Sequence, residues 1–138
     1  MQGFDFGTAE LRYLWLAVAL GLVHLVLYVL LAGGTPGRVG WALGARDEAG
    51  PAPSKIGGRA DRAWKNYVET FALFAAVVLM ANALGKHNAR TLLGSELFFW
   101  GRVAYIPLYL FGVPFVRTLA WIAAIVGIVF VFLGIYPG

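Results

Sequence analysis

The sequence predicts an all-α membrane protein, a bundle of four transmembrane helices in a single domain covering residues 1–138. Three observations predict it. The hydrophobic fraction is 60%, only 13% of residues are charged, and the mean hydropathy is +0.74. From Tyr13 to Gly37 no Asp, Glu, Lys or Arg occurs, and a bilayer core needs only about 20 such residues. The apolar stretches are separated by Gly/Pro-rich or polar turns, which is how a chain re-enters a membrane. This composition fits neither a disordered chain nor a nucleic-acid-binding protein, since the net charge of +4 is scattered over the ends of apolar segments. With no cysteine, there is neither a disulfide nor a cysteine-held metal.

The first span is read over residues 11–32. Arg12 lies at its mouth and His24 near its middle, and Gly33-Gly34-Thr35-Pro36-Gly37 ends it. Its apolar run is too long, and its leader too acidic, for a secretory signal. A Gly-, Pro- and charge-rich loop occupies residues 33–61. The second span covers 62–84 and stops at the polar turn Gly85-Lys86-His87-Asn88-Ala89-Arg90. The third covers 92–111, with Arg102 near its centre, and turns at Gly112-Val113-Pro114. The fourth covers 115–136 and carries one charge, Arg117, in its first turn.

The distribution of Lys and Arg sets the expected orientation. Arg38, Arg46, Lys55, Arg59, Arg62 and Arg117 fall on one side, against Arg12, Lys86 and Arg90 on the other. The first loop is therefore placed in the cytoplasm and both termini outside.

The polar residues of the spans carry the functional signal. Arg59, Arg62, Asn66 and Glu69 recur at i, i+3, i+7 and i+10, one face of a helix. The apolar run beyond them, from Thr70 to Leu84, is too short to cross alone, so the span must include a carboxylate that costs ~2.5–3.5 kcal/mol to insert. Arg102, Tyr105 and Tyr109 repeat the pattern at i, i+3 and i+7 on the third span. Glu69 lies ~10 Å below the cytoplasmic end of its helix and Arg102 ~15 Å below the end of its own, so the two are expected to pair. Above them, Arg62, Asn66, Tyr105, Tyr109 and Arg117 outline a cationic pocket with apolar walls, suited to a small anionic ligand. Each residue also has a plainer role available: Arg59 and Arg62 as interfacial anchors, Asn66 as glue between helices, and Tyr105, Tyr109 and the five tryptophans as interfacial aromatics. What favours a site is that three helices aim polar faces at one end. His24 is expected to be a buried hydrogen-bonding residue and His87 a loop residue. No metal-ligand spacing and no phosphate-cradling glycine motif occurs.

The segment Arg59-Ala-Asp-Arg62-Ala-Trp-Lys-Asn66-Tyr-Val-Glu69 resembles the R-x-x-R-x-x-x-N-x-x-E signature of the MAPEG superfamily, the membrane-associated proteins in eicosanoid and glutathione metabolism. The segment from Arg102 through Tyr105 and Tyr109 to Arg117 is similar to the tyrosine face and the arginine at the family's third and fourth helices. The chain as a whole looks like a bacterial branch related to microsomal glutathione transferases. The resemblance implies a homotrimer in a bacterial inner membrane, with glutathione as co-substrate held between protomers near the cytoplasmic face. It implies that Arg62, Asn66, Glu69, Tyr105 and Tyr109 contact glutathione, that Arg102 belongs to the same site, and that Arg59 lies near its mouth. Arg117 matches the arginine that activates the thiol, and either Arg38 or Arg46 could match an arginine at the end of the first helix. The implied chemistry is attack by a thiolate on a lipophilic electrophile or hydroperoxide arriving from the bilayer. The alternatives are a non-catalytic membrane binding or assembly protein on the same scaffold, and a small transporter using Glu69 and Arg102 as a relay.

Overall fold

The computed structural model describes residues 5–136; residues 1–4 and 137–138 of the expected domain lie outside them. Five helices follow one another: α1 (Ala9–Gly33), α2 (Arg38–Leu43), α3 (Lys55–Ala83), α4 (Ala89–Leu110) and α5 (Pro114–Ile135). Four are long, at the expected places; the short α2 lies inside the segment expected to be loop. That loop is also shorter than expected, because α3 starts seven residues before Arg62. Ser54 makes the early start possible: its hydroxyl accepts the Gly57 N–H at 3.2 Å, satisfying a donor that the first turn leaves unpaired.

α1, α3 and α5 are long and apolar enough to cross a membrane, and the chain is an integral membrane protein. α4 has the length, 22 residues, or ~33 Å, but not the apolarity, so the four expected spans become three on that criterion. The reason is visible in its residues: Arg90, Glu96 and Arg102 interrupt it, and Arg102 is wholly buried against the other helices rather than facing outward. Large apolar side chains are instead exposed around the bundle, among them Leu22, Leu30, Leu73 and Phe115, as expected where the surroundings are hydrocarbon.

The two turns between long helices are built alike. Gly85 (φ 64°) and Gly112 (φ 71°) adopt left-handed backbone, and Lys86 N–H and Val113 N–H reach back to Ala81 O and Leu108 O at 2.9 Å each. These close α3 and α4 with glycine caps. Asn88 and Thr91 then open α4 with a reciprocal capping box.

Small residues let the helix backbones meet. A Cβ on Gly94 would lie 2.4 Å from Gly127 O, one on Gly101 2.8 Å from Ala120 O, and one on Gly134 2.7 Å from Thr91 Cγ2. These contacts run from one end of the α4–α5 pair to the other, which is the small-residue packing that substitutes for a hydrophobic driving force in lipid. Gly127→Ala should therefore cost ~1–3 kcal/mol, since the added methyl meets backbone atoms that cannot turn aside. An unchanged melting temperature in detergent would contradict this packing.

At the end of the bundle holding the α3–α4 turn, polar groups tie the helices together. Glu10, 4% exposed, accepts the Thr91 hydroxyl at 2.6 Å, and His87 Nδ1 lies 3.6 Å from its other oxygen. Asn88 donates to Gly134 O at 2.9 Å. His87 is thus a partner of the start of α1 rather than a simple loop residue. The core between these ends is apolar, centred on Phe74 and Phe98, whose rings stack 4.0 Å apart.

Candidate functional site

The opposite end gathers the start of α3, the end of α4 and the start of α5. α3 buries one stripe there, through Ala60, Ala63, Tyr67, Thr70 and Phe74. Its polar residues fall beside that stripe at different angles, and the angle decides what each one meets.

Arg59 donates to Leu110 O at 3.1 Å and lies against Gly112, where a Cβ would come within 2.9 Å of its guanidinium. It thereby caps the carbonyl end of α4, where a cation is favoured by the helix dipole. One turn on, Arg62 Nε donates to the Tyr109 hydroxyl at 3.0 Å. One turn further, Asn66 Oδ1 accepts from Arg102 Nη1 at 2.7 Å.

Arg102 is 0% exposed. Its guanidinium carbon lies 4.1 Å from the centre of the Tyr105 ring and 5.3 Å from that of Tyr67, so π faces and one amide oxygen hold the charge. Its Nε and Nη2 find no hydrogen-bond partner among the described residues. The expected ion pair with Glu69 is not formed: among the described residues no ion pair joins them, and Glu69 is exposed. Depth alone suggested the pairing, but a residue three positions on from Asn66 is turned about 60° further round the helix. Asn66 edges the buried stripe, and Glu69 turns away from it.

Tyr105 and Tyr109 lie with ring centres 5.4 Å apart, and the Arg117 guanidinium sits 4.8 Å from the centre of the Tyr109 ring. The Gly112 turn and Pro114 at the first position of α5 bring Arg117 back over α4. The result is a cleft of about 180 Å³ lined by Asn66, Tyr105, Tyr109, Arg117, Thr118 and Trp121.

Six residues singled out in the sequence, Arg62, Asn66, Arg102, Tyr105, Tyr109 and Arg117, thus form one connected array, with Arg59 adjoining it and Glu69 apart from it. Thr118 and Trp121 were not singled out. Trp121 lies four residues after Arg117, on the same face of α5, and that spacing was the signal for it. Its ring helps line the cleft, while its indole N–H is closed off from solvent and, among the described residues, has no hydrogen-bond partner. Beneath the array, the Tyr67 hydroxyl donates to Ala17 O and the Tyr67 ring stacks on His24 at 4.6 Å. His24 is buried as expected, at 2%, but its Nε2 has no hydrogen-bond partner among the described residues.

Chemically, the cleft offers one guanidinium held on a phenol face, two phenols, an amide and a hydroxyl, with the Trp121 ring at its wall. Among the described residues no carboxylate lines it. Such a site suits an anionic ligand or an anion that forms during a reaction.

In comparison with known proteins, the MAPEG family model matches residues 13–136. No curated protein and no solved structure matches the chain.

Proposed function

The chain belongs to the MAPEG family, and on that premise we propose that it is a transferase or peroxidase that uses glutathione or another small thiol against lipophilic electrophiles in the membrane. The observation that carries this reading is Arg117, held over Tyr109 in a cleft that Asn66 and Tyr105 also line.

A thiol of pKa ~8.5 is mostly protonated at neutral pH. A permanently charged guanidinium beside it favours the thiolate, which is the nucleophile. Arg62, Asn66, Tyr105 and Tyr109 would hold the polar part of the thiol ligand and Arg117 would face its sulfur. The thiolate then forms a bond to the electrophilic carbon as the leaving group departs, or attacks the terminal oxygen of a hydroperoxide, breaking the O–O bond to release the alcohol and leave a sulfenic acid, which a second thiol molecule converts to disulfide and water. The active form in this reading is a homotrimer. Glu69, exposed on α3, would then face the neighbouring protomer and contribute to the ligand held between them. The charge distribution favours a first loop in the cytoplasm and termini outside, and the resemblance to a bacterial branch of the family favours a bacterial inner membrane.

The test is a panel of small thiols added to the detergent-solubilised protein, with thiolate absorbance and native mass read together. A thiolate signal that saturates at one thiol per protomer of a trimer is expected. Absence of both signal and saturable binding across the panel would leave a non-catalytic scaffold protein as the better reading. Liposome flux of a thiol without turnover would point to a transporter.

A further inference from the structure

The loop after α1 contains a second cationic feature, away from the cleft. α1 ends at Gly33, and Gly37 (φ 79°) turns the chain into the six-residue α2. Trp41 on α2 is a peg around which the loop is wound. Its indole N–H donates to Glu48 O at 2.7 Å. Gly50 lies flat on its ring, so closely that a Cβ would stand 2.4 Å from the indole.

Two arginines are held on the same ring. The Arg38 guanidinium carbon is 5.5 Å from the ring centre and that of Arg46 is 5.6 Å from it. Arg38 Nη1 donates to Pro51 O at 2.7 Å, and Arg46 Nε donates to Ala42 O at 2.9 Å. Arg46 keeps this position with φ 60°, a left-handed backbone that is unfavourable for any residue with a Cβ. Each guanidinium keeps further N–H donors in reserve. Among the described residues neither arginine is in an ion pair, although Asp47 and Glu48 follow directly in the chain.

Beside them lies a largely apolar cleft of about 250 Å³, walled by Val29 and Ala32 of α1 and by Val39 and Leu43 of α2, with Arg38 and Arg46 lining it too. Val29, Val39 and Leu43 are 56%, 56% and 84% exposed. This is the end of an apolar span, where acyl chains give way to headgroups. A cation pair beside an apolar slot at that level matches the two halves of a lipid.

We infer that this cleft binds an anionic glycerophospholipid, with the headgroup phosphate on Arg38 and Arg46 and one acyl chain along Val29 and Leu43. Guanidinium forks suit phosphate oxygens. A choline headgroup would bring a third cation against the two already there, so the site selects a headgroup without one. The short α2 then lies in the interface plane, its apolar residues facing the acyl region.

The experiment is native mass spectrometry of the full chain in detergent with equal amounts of phosphatidylglycerol and phosphatidylcholine. The unmodified protein should retain phosphatidylglycerol in preference by about ten-fold. Arg38→Gln with Arg46→Gln should abolish the preference, and Arg38→Lys with Arg46→Lys should keep most of it, which separates lost charge from lost folding. Arg90→Gln, at the opposite end of the bundle, should change nothing. Equal retention of both lipids, or an undiminished preference in the double Gln variant, would overturn the proposal. So would displacement of the lipid by millimolar inorganic phosphate, which would mark a site for small free anions. Loss of thiol binding with lipid retention intact would assign the two arginines to a thiol site instead.

Discussion

Arg117→Ala is expected to slow turnover about 10²–10³-fold, the effect of removing one preorganised charge from a developing anion. Ligand affinity should fall far less, because Arg62, Asn66, Tyr105 and Tyr109 come from other helices and stay in place. Among the described residues the Arg117 guanidinium makes no hydrogen bond or ion pair; it rests on the face of Tyr109, 4.8 Å from the ring centre. Its removal therefore strands no partner, and the fold should keep its melting temperature. Arg117→Lys should recover part of the thiolate absorbance, since an ammonium supplies the charge without the planar fork. Rapid mixing of each variant with thiol, read by thiolate absorbance and by turnover, checks this. Activity surviving in Arg117→Ala, or thiol binding vanishing together with it, would remove Arg117 from the role of activator.

Asn66→Leu should be the most destabilising change in the polar array, by ~3 kcal/mol or more. Among the described residues Asn66 Oδ1 is the one hydrogen-bond acceptor that Arg102 has, and a fully buried cation deprived of it keeps its aromatic contacts alone. Arg102→Met should be mild by comparison, because it removes the buried charge and leaves a half-buried amide beside an open cleft. Glu69→Gln should change the stability of the protomer fold by less than ~1 kcal/mol, since Glu69 is exposed on the protomer and among the described residues is in no ion pair. Thermal unfolding of the three variants in one detergent, without ligand, gives the ranking. A large loss in Glu69→Gln, matched by Arg102→Met, would restore the direct ion pair between them.

The contrast between Asn66 and Glu69 shows how far the sequence could be read. The 3.6-residue periodicity put Arg59, Arg62, Asn66 and Glu69 along one side of a helix and Arg102, Tyr105 and Tyr109 along one side of another. Topology then required both to meet Arg117 at one end, and six of these residues do form one array. Periodicity resolves a face only to a broad sector, however. The buried stripe of α3 is set by what α1 and α4 press against it, so the same pattern leaves Asn66 inward and Glu69 outward.

The sequence alone determined the helical class, the places of the four long helices and the turns at Gly85 and Gly112. Those follow from local rules: apolar run length, the lack of a Cβ at positive φ, and side-chain caps. It also determined which end of the bundle would be rich in arginine. The tertiary structure alone decided who partners whom: that Arg102 rests on Asn66 and two phenol faces, that Trp121 lines the cleft beside Arg117, that Glu10 and His87 join the start of α1 to that of α4, and that Trp41 holds both Arg38 and Arg46 in the first loop. Such pairings depend on the rotation of each helix about its axis and on approach distances of a few ångströms. Those are set by which small residues let backbones touch, as Gly94 does against Gly127, and no single segment of the chain contains that information.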